Sequence, residues 1–141
     1  MDYIKQTVTE LINEYGTSDP YRLAQAMHIL VDEVPFHDIG GLTMELAGQS
    51  TIMINSNFPD WHKRFILAHE LGHRKLSPRG AGYFFVSEHT LMGSKVEYEA
   101  NRFAVELLTG QEPEAGETLE QFAVRVGVPV EMMMRYKSVN V

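Results

Sequence analysis

Apolar residues fall at helical spacing toward both ends of this chain and at alternate positions in between. Over residues 2–15, Ile4, Val8, Leu11 and Ile12 share one helix face, and Gly16 follows as a stop signal. In TSDPYRLAQAMHI, Ser18 or Asp19 can cap a second, short helix, Pro20 suits its first turn, and Leu23, Ala26 and Met27 supply its apolar face. From Val31 to Phe36, and again across LTMELAG and STIMINS, the period shortens to two, with Ile52 and Ile54 facing away from Thr51, Met53 and Asn55. A sheet of about three strands is expected, punctuated at Gly40-Gly41 and Gly48-Gln49.

The helical period returns after Asp60, a candidate cap, and runs from Trp61 to about Leu76 before Ser77-Pro78 closes it. Residues 77–95 then form a loop long for a compact domain, which implies a function of its own or mobility. Another helix is predicted from about Ser94 to Thr109, with Val96, Ala100, Phe103, Ala104 and Leu107 as its buried stripe. QEPEAGE reads as a polar linker, and LEQFAVRVGVP with VEMMMRYK as one or two short terminal helices. The sum is an α+β fold in which a small mixed or antiparallel sheet packs on two central helices, with further helices at either end. We expect one domain, built from an N-terminal part (1–56), a central helical part (57–110) and a helical tail (111–141).

Composition narrows the function. With 44% hydrophobic and 22% charged residues, the chain fits neither the disordered nor the membrane class. Its first residues, MDYIKQTVTE, lack the pattern of a secretory signal, so the cytoplasm is the expected location. A formal net charge of -7 speaks against nonspecific nucleic-acid binding, and neither direct nucleic-acid contact nor a membrane is expected. Cysteine is absent, so any metal site must be built from His, Asp and Glu.

Such a site is suggested by FILAHELGHRKL. On a helix, His69 and His73 lie one turn apart on one face, and both can direct an imidazole nitrogen at a single ion. Glu70 projects beside them, placed to act as a general base toward water at a zinc ion rather than as a ligand. Gly72 in mid-helix is unfavourable by roughly 1 kcal/mol relative to alanine, which implies a close approach to the backbone there. A third ligand is still required. The third histidine of metzincins would fall at position 79, which is Arg79 here. In SKVEYEANRFAVELL, Glu97 lies at the margin of the buried stripe, while Glu99 lies opposite with Arg102 and Glu106. Geometry favours Glu97 as ligand, with Asn101, one turn on, as a partner that could orient a histidine.

HELGH followed by EYEANRFAVELL resembles the ImmA/IrrE family of zinc metallopeptidases, and STIMINS and RLAQAMHI extend the resemblance over most of residues 20–110. The family resemblance implies a zincin-like fold and one zinc ion per chain, with His69, His73 and Glu97 as ligands and Glu70 as catalytic base. It also implies a protein substrate, a helix-turn-helix repressor of a mobile element or stress regulon. Thr109-Gly110 departs from the methionine and proline usual in the family at that place.

Other features carry rival readings. His62, about 10 Å along the helix from His69, and His28 and His37 are expected to be structural or surface residues. Tyr83 and His89 lie in the long loop, which either folds over the cleft and places them near an oxyanion or simply covers it. STIMINS is either an edge strand on which an extended substrate pairs or an interior strand. The metal site could serve a module that antagonises a repressor by contact alone. Alternatively, residues 117–137 could form a DNA-binding unit with the metal as a clip, a reading the net charge opposes.

Overall fold

The computed structural model describes residues 2–76, 85–86, 94–110 and 112–136. Helix α1 (Tyr3–Tyr15) begins where the Asp2 carboxylate accepts from the Ile4 and Lys5 amides, and ends at Gly16 in the left-handed region. Its buried face is Ile4, Val8 and Leu11. Of the two candidate caps of α2 (Pro20–Ala26), Asp19 holds the position, accepting from the Tyr21 amide. The buried face of α2 is Pro20, Leu23 and Ala24 rather than the expected Leu23, Ala26 and Met27; Ala26 is exposed and Met27 half-buried. Both sets have helical spacing, and packing against α3 selects the observed face.

Strands β1 (Leu30–Val34), β2 (Gly41–Leu46), β3 (Gln49–Asn55) and the two-residue β4 (Phe85–Val86) form one mixed sheet in the order β1-β3-β2-β4. The expectation of about three strands holds, and β4 comes in addition from within the long loop. β1 runs parallel to β3, and β2 and β3 make a hairpin in which Leu46 faces Gln49. The turn residues are therefore Ala47 and Gly48, at φ 50° and 82°, the two positive values that a tight hairpin of matching twist requires. β3 is flanked on both sides, so STIMINS is an interior strand and its main chain is not open to an extended substrate. Thr51 and Asn55 are buried along with Ile52 and Ile54, since the central strand is covered on both faces. Asn55 Nδ2 donates to the carbonyls of Phe36 and Ile39, tying the β1–β2 connection to the end of β3.

Helix α3 (Asp60–Leu76) includes Asp60 in its first turn instead of starting after it as a cap. All nine residues from Phe65 to His73 are buried, as in a helix enclosed on every side. The sheet, α2, α4 (Ser94–Leu108) and α5 (Leu119–Val126) surround it. A Cβ added at Gly72 would sit 3.1 Å from three atoms of Phe103, so the glycine lets α3 and α4 approach closely there. Helix α4 ends at Leu108, and Thr109 follows with both its amide and its buried hydroxyl donating to the Val105 carbonyl, at 3.0 and 2.6 Å. The tail forms two helices, α5 and α6 (Val130–Tyr136), whose Phe122, Ala123, Val126 and Met133 complete the same buried cluster. Among the described residues, no helix is long and apolar enough to cross a membrane.

Candidate metal centre

The middle of α3 carries an unusual load. Among the described residues the buried ionisable side chains are His69, Glu70 and His73, with 7%, 0% and 1% of their surface exposed. Charged groups are rarely held in such a place unless something of opposite charge compensates them. The first turn of α4 brings Glu97 against both histidines: His69 Nε2 is 3.3 Å from its Oε1, and His73 Nε2 is 3.1 Å from its Oε2. Nitrogen and oxygen atoms of these three residues all lie within 4.8 Å of one another. Two imidazole nitrogens and a carboxylate meeting at one point fit a divalent cation.

The same two histidines set the charge state of Glu97. Burial pushes its carboxyl up, but the contacts and charge of His69 and His73 outweigh this and hold it at about 2. It is therefore ionised throughout the neutral range. Glu70 stands outside the trio. It lies on the sheet side of α3, where a Cβ added at Gly41 would be 3.6 Å from Glu70 Cγ, 2.7 Å from Ile66 Cγ2 and 2.9 Å from the Met53 carbonyl. The glycine thus admits the strand close to the helix at the carboxylate. Gly40-Gly41 reads as turn punctuation in the sequence, and Gly41 instead begins β2 beside the site.

Arg74, the residue after His73, locks α3 to the hairpin. Its Nε donates to Thr43 Oγ1 at 2.5 Å, Nη2 to the Met44 carbonyl at 2.6 Å, and Nη1 to Ser50 Oγ and Glu45 Oε2 at 3.1 and 3.2 Å. Sequence reasoning misses this role, because a basic residue in the last turn of a helix also suits the helix dipole.

The remaining candidates separate. Glu99 is half-buried on α4 and does not join the trio. The Asn101 amide is 3.4 Å from the Tyr136 hydroxyl, to which it donates, so its bond runs to α6 and not to a histidine as expected. His62 packs among Phe58, Trp61 and Phe65, while His28 and His37 are exposed, in keeping with structural and surface roles. Tyr83 and His89 lie outside the described residues.

Comparison with known proteins matches residues 24–135 to peptidase family M78, the IrrE N-terminal-like domain. The chain is 41% identical over 138 residues to "Uncharacterized immunity region protein 2" of Bacillus phage phi105, covering 92% of this chain and 85% of that protein. It is 31% identical over 107 residues to "Metallopeptidase ImmA" of Bacillus subtilis (strain 168), covering 74% of this chain and 62% of that protein. No solved structure matches significantly. With the match running from α2 through α6 and across the whole His69–His73–Glu97 cluster, the chain belongs to the IrrE N-terminal-like family of peptidases.

Proposed function

We propose that this protein is a zinc-dependent endopeptidase whose ligands are His69, His73 and Glu97 and whose general base is Glu70. The observation that carries the reading is the convergence of two imidazoles and a carboxylate within 4.8 Å, with a fully buried glutamate on the adjoining residue. A His₂Glu donor set is that of catalytic zinc sites, which keep a position open. Zinc held there supplies Lewis acidity, polarising a peptide carbonyl and lowering the pKa of water at the ion to about 7.

The protein's own contribution is proton transfer and placement. A Glu70 carboxylate oxygen takes a proton from the attacking water as the new C–O bond forms at the peptide carbonyl carbon. The same oxygen then gives that proton to the departing amide nitrogen as the C–N bond breaks. Burial of Glu70 against β2 fixes its position and keeps bulk water from competing. The Arg74 clamp holds β2 and α3 in register around it.

The substrate we propose is a helix-turn-helix repressor, acting in the cytoplasm. Family resemblance supports this, as does similarity to a phage protein named for an immunity region. Co-expression with a candidate helix-turn-helix repressor tests the reading. Wild type should yield cleaved repressor, and Glu70→Gln should yield none while retaining one zinc. Relief of repression by Glu70→Gln without any cleaved product would replace proteolysis with antagonism by contact.

A further inference from the structure

The ligand Glu97 sits in the first turn of α4, where backbone amides lack partners within the helix and the chain is most prone to fray. A ligand there needs support from outside its own helix. Besides α3 and α1, α6 at the far end of the described chain packs on α4 and contributes to that support.

On α6, Met133 and Tyr136 are three residues apart and share a face. Met133 is 1% exposed and anchors the helix in the core, while Met134 is 67% exposed on the other side. Tyr136 is thereby turned toward α4. Its ring meets that of Tyr98, the residue after Glu97, at 5.2 Å between centroids and a tilt of 55°. Its hydroxyl receives Asn101 Nδ2, one turn beyond Glu97. Tyr136 therefore contacts α4 at the positions one and four residues after Glu97. The Arg135 guanidinium lies 5.6 Å from the centre of the Tyr136 ring and adds a cation contact.

We propose that Tyr136 is a positioning residue for the metal site: through Tyr98 and Asn101 it holds the first turn of α4 so that Glu97 reaches the ion. This inference rests on the reading of His69, His73 and Glu97 as ligands. It gives the C-terminal tail a part in metal binding, so that anything displacing α6 also loosens the ion.

The test is zinc affinity, measured on the apo full chain by competition with a chromophoric chelator, beside the thermal midpoint of the same apo protein. Tyr136→Ala should weaken zinc binding by about ten- to a hundredfold, the usual effect of losing a partner that orients a ligand. Tyr136→Phe keeps the ring contact with Tyr98 and should restore most of the affinity. Tyr98→Ala removes the other ring from a half-exposed position, and reads the same contact should Tyr136→Ala fail to fold. Wild-type zinc affinity in Tyr98→Ala, or in a folded Tyr136→Ala whose thermal midpoint alone has dropped, would overturn the positioning role. Absence of zinc binding in the wild type would instead overturn the three-ligand site beneath it.

Discussion

Helices α3 and α5 touch where Gly127, the residue ending α5, meets Arg64 and the Trp61 carbonyl, yet the two are specified in opposite ways. α5 is written locally. Thr118 and Gln121 form a capping box at its start, Gly127 closes it at φ 85°, and Phe122, Ala123 and Val126 give it one buried stripe. α3 is written by its surroundings, because nine successive residues are buried and three of them carry ionisable groups. The difference separates stability from chemistry. Changes at the ends of α5 should affect folding and leave the ion alone, whereas changes in the middle of α3 should abolish chemistry and can leave folding intact.

The largest departure should come from Glu70→Gln. Loss of a general base lowers the cleavage rate by about 10²- to 10⁴-fold, with zinc content and thermal midpoint at or above wild type. A cleavage assay beside a melting curve checks both halves. His73→Ala should weaken zinc binding by more than the roughly hundredfold that loss of an outer partner causes, as read by chelator competition. Gly72→Ala probes the packing that brings the ligand helices together. A methyl group 3.1 Å from Phe103, itself fully buried and backed by the core, introduces strain of about 1–3 kcal/mol against a helix-propensity gain of about 1 kcal/mol. A net loss of about 1 kcal/mol in denaturant unfolding is expected, with zinc affinity falling alongside it.

On the α5 side, Thr118→Ala removes half of the capping box and should lower stability by about 1 kcal/mol without changing zinc affinity. The smallest effect concerns acid. The Arg125 side chain and the Glu114 backbone hold Glu117 at about 2, below its ordinary 4.5. A depressed carboxyl contributes stability that is present above the unfolded-state value and is lost as pH falls through the folded one. Wild type and Glu117→Gln should therefore differ slightly in thermal midpoint at neutral pH and converge as pH falls from about 4.5 toward 2. Equal midpoints at pH 7 would show that this exposed pair contributes nothing.

The same contrast explains what could be read from the residues. Locally encoded features were legible: the face of α1, the stop at Gly16, and the close approach at Gly72, whose neighbour proves to be Phe103. The trio of His69, His73 and Glu97 was legible because ligand spacing on a helix is also local, and one margin of α4 singles out Glu97 over Glu99. Features set by distant segments were not. Whether STIMINS is an edge or an interior strand depends on β1 pairing with it from 21 residues upstream. Arg74 and Asn101 find partners 24 to 35 residues away, on the hairpin and on α6, and no periodicity announces either. The face of α2 was misjudged because Ala24 and Ala26 are equally apolar and only the packing against α3 chooses between them.

The central claim is that three residues from two helices hold one ion, and zinc stoichiometry tests it most directly. Purified wild type, Glu97→Gln and Glu99→Gln would be reconstituted with zinc, freed of excess, and measured by elemental analysis beside protein concentration. One zinc per chain is expected in the wild type and in Glu99→Gln, with its loss from Glu97→Gln. Zinc missing from the wild type, or retained by Glu97→Gln and lost from Glu99→Gln, would contradict it.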